Sequence, residues 1–238
     1  MSERVVEVIR AGRVPYATAL AWQRSLAQAR IEGRLAHDVL VLLEHPPVVT
    51  LGRSARPAHL LRADDIEVFE VERGGDVTYH GPGQLVGYPI LDLTGYRRDL
   101  HWYLRTLEQA LIDGLAELAV PAERRAGYTG VWTRGRKIAS IGVHVKQWVT
   151  WHGFALNVTT DPAQFGGIVP CGIPGVVMTA IAREGGEATR QPGLWGRAVA
   201  AVISGFERAF QVVARPGDVS ALVPPGLAVE APAPAAPP

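Results

Sequence analysis

The sequence predicts a single domain of the α+β or α/β class, built on a mixed sheet with flanking helices. Three observations predict it. Short runs rich in Val, Ile and Leu recur between Val5 and Leu93, and such runs broken by Pro, Gly and charge read as strands. The stretch from Asp99 to Ala119 repeats its leucines at helical spacing. Residues 130–158 alternate apolar and polar side chains, as an antiparallel meander does. No internal repeat and no linker divides these segments, so they share one layered core.

Taken in order, Val5 to Ile9 alternates loosely and reads as a strand. Tyr16 to Ile31, rich in Ala, Leu, Gln and Arg with Pro15 at its start, reads as a helix. Val39 to Leu43 and Val48 to Leu51 read as two strands parted by Pro46 and Pro47, and Ser54 to Arg62 reads as a loop. Ile66 to Val71 and Leu85 to Leu93 read as further strands. Leu100, Tyr103, Leu104, Leu107, Leu111, Leu115 and Leu118 share one face of the next helix, with Asp99 at its N-cap and Pro121 beyond its end. The meander comprises Gly130 to Trp132, Lys137 to Val145 and Trp148 to Val158, and a last helix is expected over Leu194 to Val213. Residues 1–229 form the predicted domain; 230–238, made of Glu, Ala and Pro at its start and Ala and Pro after it, reads as a disordered tail.

Composition narrows the function classes. With 47% apolar and 20% charged residues the chain can bury a sizeable core. A net charge of +1 gives no reason to expect nucleic acid or a membrane surface as partner. No apolar run reaches membrane-span length, and the first residues lack the apolar segment of a signal peptide. With a single cysteine as well, a reducing cytoplasm is the expected compartment.

That cysteine, Cys171, stands between Pro170 and Gly172, so it lies in a turn or loop. A loop thiol beside a base or cation is a nucleophile candidate, because the thiolate is the reactive form. Quiet packing competes with that reading, since free cysteine is among the most buried residue types. Of the 24 basic residues only Lys137 and Lys146 are lysine. A codon bias explains the scarcity, yet a retained lysine supplies an amine whose pKa can be tuned, which arginine cannot.

Two clusters carry polar groups among glycines. In Arg73-Gly-Gly-Asp-Val-Thr-Tyr-His-Gly-Pro-Gly-Gln84, glycines allow close backbone approach to a ligand while Thr78, Tyr79, His80 and Gln84 aim at it. A hairpin turn would need the glycines but not those side chains. In Gly135-Arg-Lys-Ile-Ala-Ser-Ile-Gly142, strand alternation puts Lys137, Ala139 and Ile141 on one side and Ile138, Ser140 and Gly142 on the other. The small residues of this segment and of Gly153 and Ala155 suit either close packing or a channel. His80, His144 and His152 with Cys171 lack the paired spacing of zinc ligands, so no metal is expected.

These motifs, followed by His152-Gly-Phe-Ala-Leu-Asn157 and Ile168-Val-Pro-Cys-Gly-Ile173, resemble in content and order the lipoyl(octanoyl) transferases, the octanoyl–acyl-carrier-protein: protein N-octanoyltransferases. The resemblance spans about Val39 to Ile181. It implies a fold like the catalytic domain of biotin protein ligases and lipoate–protein ligases. It implies that Cys171 accepts the acyl group and that Lys137 lowers its pKa. It assigns substrate binding to Arg73, Gly74, Gly75, Asp76, Val77, Thr78, Tyr79 and His80, to Ser140, Ile141 and Gly142, and to Gly153, Phe154 and Ala155. The run Met178-Thr-Ala-Ile181 matches the family pattern only in part.

The implied reaction moves octanoate from octanoyl–acyl carrier protein to Cys171, then to the lysine of a lipoyl domain. The implied acceptors are 2-oxoacid dehydrogenase complexes and the glycine-cleavage H protein. Thioester to amide runs downhill, so neither ATP nor another cofactor is implied. Lys137 or, second, His80 would take the amine proton. N–H groups near Cys171 and Gly172, or from Gly75 to Val77, would hold the oxyanion. An ATP-using ligase and a non-catalytic acyl-binding protein are the competing readings of the same fold.

Overall fold

The runs of β-branched and leucine residues fold into two sheets, and the leucine-spaced stretches into the helices that cover them. The structure, a computed structural model, describes residues 4–62 and 66–218; the expected tail at 230–238 lies outside them. In chain order the elements are β1 (Val5–Arg13), α1 (Tyr16–Ile31), β2 (Asp38–Glu44), β3 (Val48–Leu51), β4 (Glu67–Glu70), β5 (Val77–His80) and β6 (Gln84–Ile90). There follow α2 (Leu100–Glu117), β7 (Val131–Thr133), β8 (Arg136–Lys146), β9 (Val149–Asn157), α3 (Ile181–Glu184), α4 (Gly186–Arg190), α5 (Leu194–Phe210) and β10 (Val213–Pro216).

The larger sheet has the order β10-β1-β2-β6-β9-β8-β7 and the smaller one β4-β3-β5. Both are mixed. β1 runs parallel to β10 and β2, while β2, β6, β9, β8 and β7 pair antiparallel in turn. β2 shows why its sequence is continuously apolar. Leu40 and Leu42 face the core under α2 and α5, while Val39, Val41 and Leu43 face Trp22 and Leu26 of α1. A strand covered on both faces has no polar side to show.

Asp99 caps α2 by accepting from the His101 and Trp102 amides at 2.9 and 3.0 Å. α2 and α5 cross where both carry glycine. A Cβ on Gly114 would lie 2.7 Å from the Ala201 oxygen, and one on Gly205 would lie 2.1 Å from the Ala110 oxygen. Only glycine permits this approach.

The smaller sheet positions the site. Val49, Val77 and Tyr79 pack on Phe165, Ile168 and Met178, which anchors the segment carrying Cys171. β5 lies inside the glycine cluster, where the glycines hid it from pattern reading. The expected last helix ends at Phe210, short of Val213, because Gln211 turns left-handed at φ 54°. The chain then enters β10, whose β-branched start suits a strand.

Candidate active site

A cavity of about 320 Å³ opens beside Cys171, a size suited to a small apolar ligand. Its walls come from both sheets. β5 alternates, so Thr78 and His80 face the cavity while Val77 and Tyr79 face the Phe165 and Met178 cluster. Val77 and Tyr79 are therefore core residues here. Gly74 is likewise off the wall, its amide donating to the Val143 oxygen at 2.9 Å. Arg73, Gly75, Asp76, Ser140, Ile141, Gly142, Gly153, Phe154 and Ala155 all line the cavity with Cys171.

Cys171 is half-buried in a tight turn, Pro170–Gly172. Its own φ is 57° and that of Gly172 is 66°. A non-glycine residue held left-handed stores backbone strain and implies that its surroundings fix it. Part of that fixing is visible at Gly172, where a Cβ would lie 2.5 Å from the Asp76 carboxylate. Asp76 is itself held, accepting from the Val77 amide at 2.7 Å and pairing with His59 at 2.7 Å. The Ser140 hydroxyl lies 3.5 Å from the Cys171 sulfur.

Lys137 is fully buried. Its ammonium donates to the Thr129 oxygen at 2.9 Å and sits 4.2 Å from the centroid of the Trp132 ring. Burial lowers its pKa; the nearby Cys171, as charge and hydrogen-bond partner, opposes that effect. Simple alternation predicted Lys137 and Ser140 on opposite sides of their strand. A β-bulge overturns this: Val131 pairs with Ala139 but Trp132 with Lys137, so Ile138 is an extra residue. Ile138 and Ala139 both enter the core, and Lys137 and Ser140 both reach Cys171.

Thr179, outside the sequence-derived set, stitches the cysteine segment to β8. Lys137 donates its amide to the Val177 oxygen at 2.8 Å, and Thr179 donates its amide to the Lys137 oxygen at 2.9 Å. The Thr179 hydroxyl donates to Glu184 at 2.6 Å, and Glu184 is also paired with Arg136.

Comparison with known proteins places the chain in a family. Residues 15–201 match the family described as the lipoyl protein ligase A/B catalytic domain. The octanoyltransferase of Gloeobacter violaceus is 55% identical over 216 residues, which cover 90% of this chain and 94% of that one. The octanoyltransferase of Geobacter sulfurreducens is 54% identical over 183 residues, 77% of each chain. This chain belongs to the octanoyltransferase family. Membership makes it an acyltransferase. The octanoyltransferase fold is shared with lipoate-protein ligase A solved with ATP, at TM-score 0.69 and 14% identity over 91% of this chain and 89% of that one. It is shared too with the bipartite lipoate protein ligase of Thermoplasma acidophilum, at TM-score 0.66 and 16% identity over 91% and 87%. The expected ligase-type catalytic domain is thus found.

Within this octanoyltransferase fold several groups have roles the sequence did not suggest. Tyr16, Tyr88 and Tyr128, which lie outside the sequence motifs, join the cavity wall, as does His152. Arg73 is buried and already committed, donating to the Thr50 oxygen and hydroxyl at 2.8 Å each. The Gly172 amide donates to the Val169 oxygen at 2.9 Å and the Val77 amide to Asp76. Those two N–H groups are therefore unavailable to an oxyanion. His80 is buried, bonded to Gln84 at 2.8 Å, and burial pushes its pKa down to about 3. Such an imidazole is a poor base. Among the described residues no helix is long and apolar enough to cross a membrane, and no group of three His, Cys, Asp or Glu could hold a metal.

Proposed function

We propose that the chain transfers octanoate from octanoyl–acyl carrier protein to the lysine of lipoyl domains through a thioester on Cys171. The carrying observation is the convergence of a strained, half-buried thiol, a buried amine and an acyl-sized cavity. Lys137 takes the thiol proton: burial keeps the amine neutral and so available as a base, and the resulting sulfur anion favours the ammonium that forms. The thiolate attacks the octanoyl carbonyl; the carbon–sulfur bond to the carrier breaks, and the carrier sulfur leaves with the proton from Lys137. The acceptor amine then attacks the Cys171 thioester, the Cys171 sulfur departs, and the amine's proton passes to Lys137. The cavity-lining residues named above bind the octanoyl chain and its thioester. Residues 1–229 act as one catalytic domain, with lipoyl domains of 2-oxoacid dehydrogenases and the glycine-cleavage H protein as acceptors. The reducing cytoplasm keeps Cys171 a free thiol.

The test is intact-protein mass spectrometry after mixing with octanoyl–acyl carrier protein and no nucleotide. The expected result is a mass gain of one octanoyl group, reversed by hydroxylamine and absent in Cys171→Ala. Near wild-type transfer by Cys171→Ala, or transfer that needs ATP, would overturn the reading.

A further inference from the structure

Helix α2 buries a carboxylate that the reaction above does not use. Glu108 is fully buried on the helix side that also buries Tyr103, Leu107, Leu111 and Leu115, and a buried carboxylate persists only against compensating partners. Its Oε1 accepts from the Gly130 amide at 3.0 Å. Its Oε2 pairs with Arg105 at 3.0 Å and with Arg124 at 3.1 Å. Arg124 also donates to the Arg105 oxygen at 2.9 Å and to Gln109 at 2.8 Å. One side chain thus ties both ends of the loop 124–130 to α2. The middle of that loop lines the cavity through Gly127, Tyr128 and Thr129. Thr129 supplies the oxygen that receives the Lys137 ammonium, and a Cβ on Gly130 would lie 2.7 Å from the Lys137 nitrogen.

We propose that Glu108 is a positioning residue: through Gly130 and Arg124 it fixes the 124–130 loop, and the loop's Thr129 carbonyl holds the Lys137 amine toward Cys171. Its charge acts in the same direction. The acidic groups that act on Lys137 are Cys171 and Glu108, and both favour the ammonium against burial. Arg105 and Arg124 stand on the Glu108 oxygen that does not meet Gly130, where they offset part of its charge.

The scarcity of lysine makes the test direct, since Lys137 and Lys146 are the only two in the chain. In protein labelled with ¹⁵N-lysine, two side-chain signals can be titrated by NMR. Glu108→Gln should lower the titration midpoint of Lys137 and leave Lys146 in place. Arg105→Gln, which removes a charge that offsets Glu108 without cutting the tie from Arg124 to the loop, should raise the Lys137 midpoint. Opposite shifts distinguish this role from simple support of the fold, which would move both variants alike. Alkylation of Cys171 at neutral pH should also slow several-fold in Glu108→Gln, because less ammonium is left to favour the thiolate. An unchanged Lys137 midpoint in both variants, or shifts of the same sign, overturns the proposal. If Glu108→Gln does not fold, Arg105→Gln decides alone: a midpoint that fails to rise overturns it. The proposal rests on the reading that Lys137 serves Cys171. The titration uses no acyl donor, so failure of the transfer reading, shown by an active Cys171→Ala, is seen separately.

Discussion

Lys137 carries two opposed effects, burial that favours the neutral amine and the Cys171 sulfur that favours the ammonium, and this balance suits a group that must take and return a proton. Lys137→Met keeps the volume and removes the proton carrier. Its turnover should fall about 10²-fold or more, the usual worth of a general base, and its Cys171 alkylation profile should move to higher pH. An unchanged alkylation profile would remove Lys137 from the reaction. The buried histidines give a separate prediction about stability. Burial pushes His80 down to about 3 and His45 down to about 4. His45 contacts the Val14 oxygen and the Tyr88 hydroxyl, each at 2.7 Å, so its Nδ1 carries the proton and its Nε2 accepts. Below the ordinary value of 6.5 the unfolded chain binds protons that these folded histidines refuse. Stability is therefore complete above pH 6.5 and declines as pH falls toward 4, by about 2 kcal/mol per histidine at pH 5. Urea denaturation at a series of pH values checks this, and His45→Gln should make the decline shallower. An equally steep decline in that variant would assign the loss elsewhere.

Elements with one periodicity were legible, and elements that break periodicity were not. α1 runs from Tyr16 to Ile31, as its composition and Pro15 indicate, and α2 from Leu100 to Glu117, close to what leucine spacing and Asp99 indicate. The meander appears as β7, β8 and β9. β5 was missed because its four residues sit among turn-forming glycines, and β10 because Gln211, not glycine, ends α5. The bulge in β8 is invisible in sequence, yet it decides which residues meet: without it Lys137 and Ser140 would point apart. Cys171 and Lys137 were both marked out by rarity, whereas nothing in the sequence singles out Glu108. Its burial depends on Arg105 and on Arg124, 16 residues away, which no local pattern reports. The α2–α5 crossing is testable in the same terms. Gly205→Ala places a methyl against the Ala110 carbonyl, so it should destabilise by about 1–3 kcal/mol, read as a lower urea midpoint with an unchanged slope. A neutral result would show that the two helices can move apart at no cost.

At the scale of the molecule, a net charge of +1 hides an uneven surface, because the arginines differ in how far they are neutralised. Arg134 and Arg136 are paired with Glu184, and Arg124 is paired with Glu108. Among the described residues Arg97, Arg98 and Arg125 have no carboxylate partner. Arg125 is exposed and lies 5.1 Å from the centroid of the Tyr128 ring, and Tyr128 lines the cavity. Its charge therefore stands beside the cavity wall that Tyr128 forms. If the donor is an acidic carrier protein, this charge speeds encounter, and salt weakens it as the Debye length falls to about 10 Å near 0.1 M. The KM for octanoyl–acyl carrier protein should rise several-fold with salt, while that for a small octanoyl thioester stays nearly constant. Arg125→Gln should raise the KM for the carrier at low salt and flatten its salt dependence; Arg134→Gln, whose charge is already engaged by Glu184, should do neither. Equal salt dependence for the two donors would sink the idea and leave the acyl chain and its arm as the source of recognition.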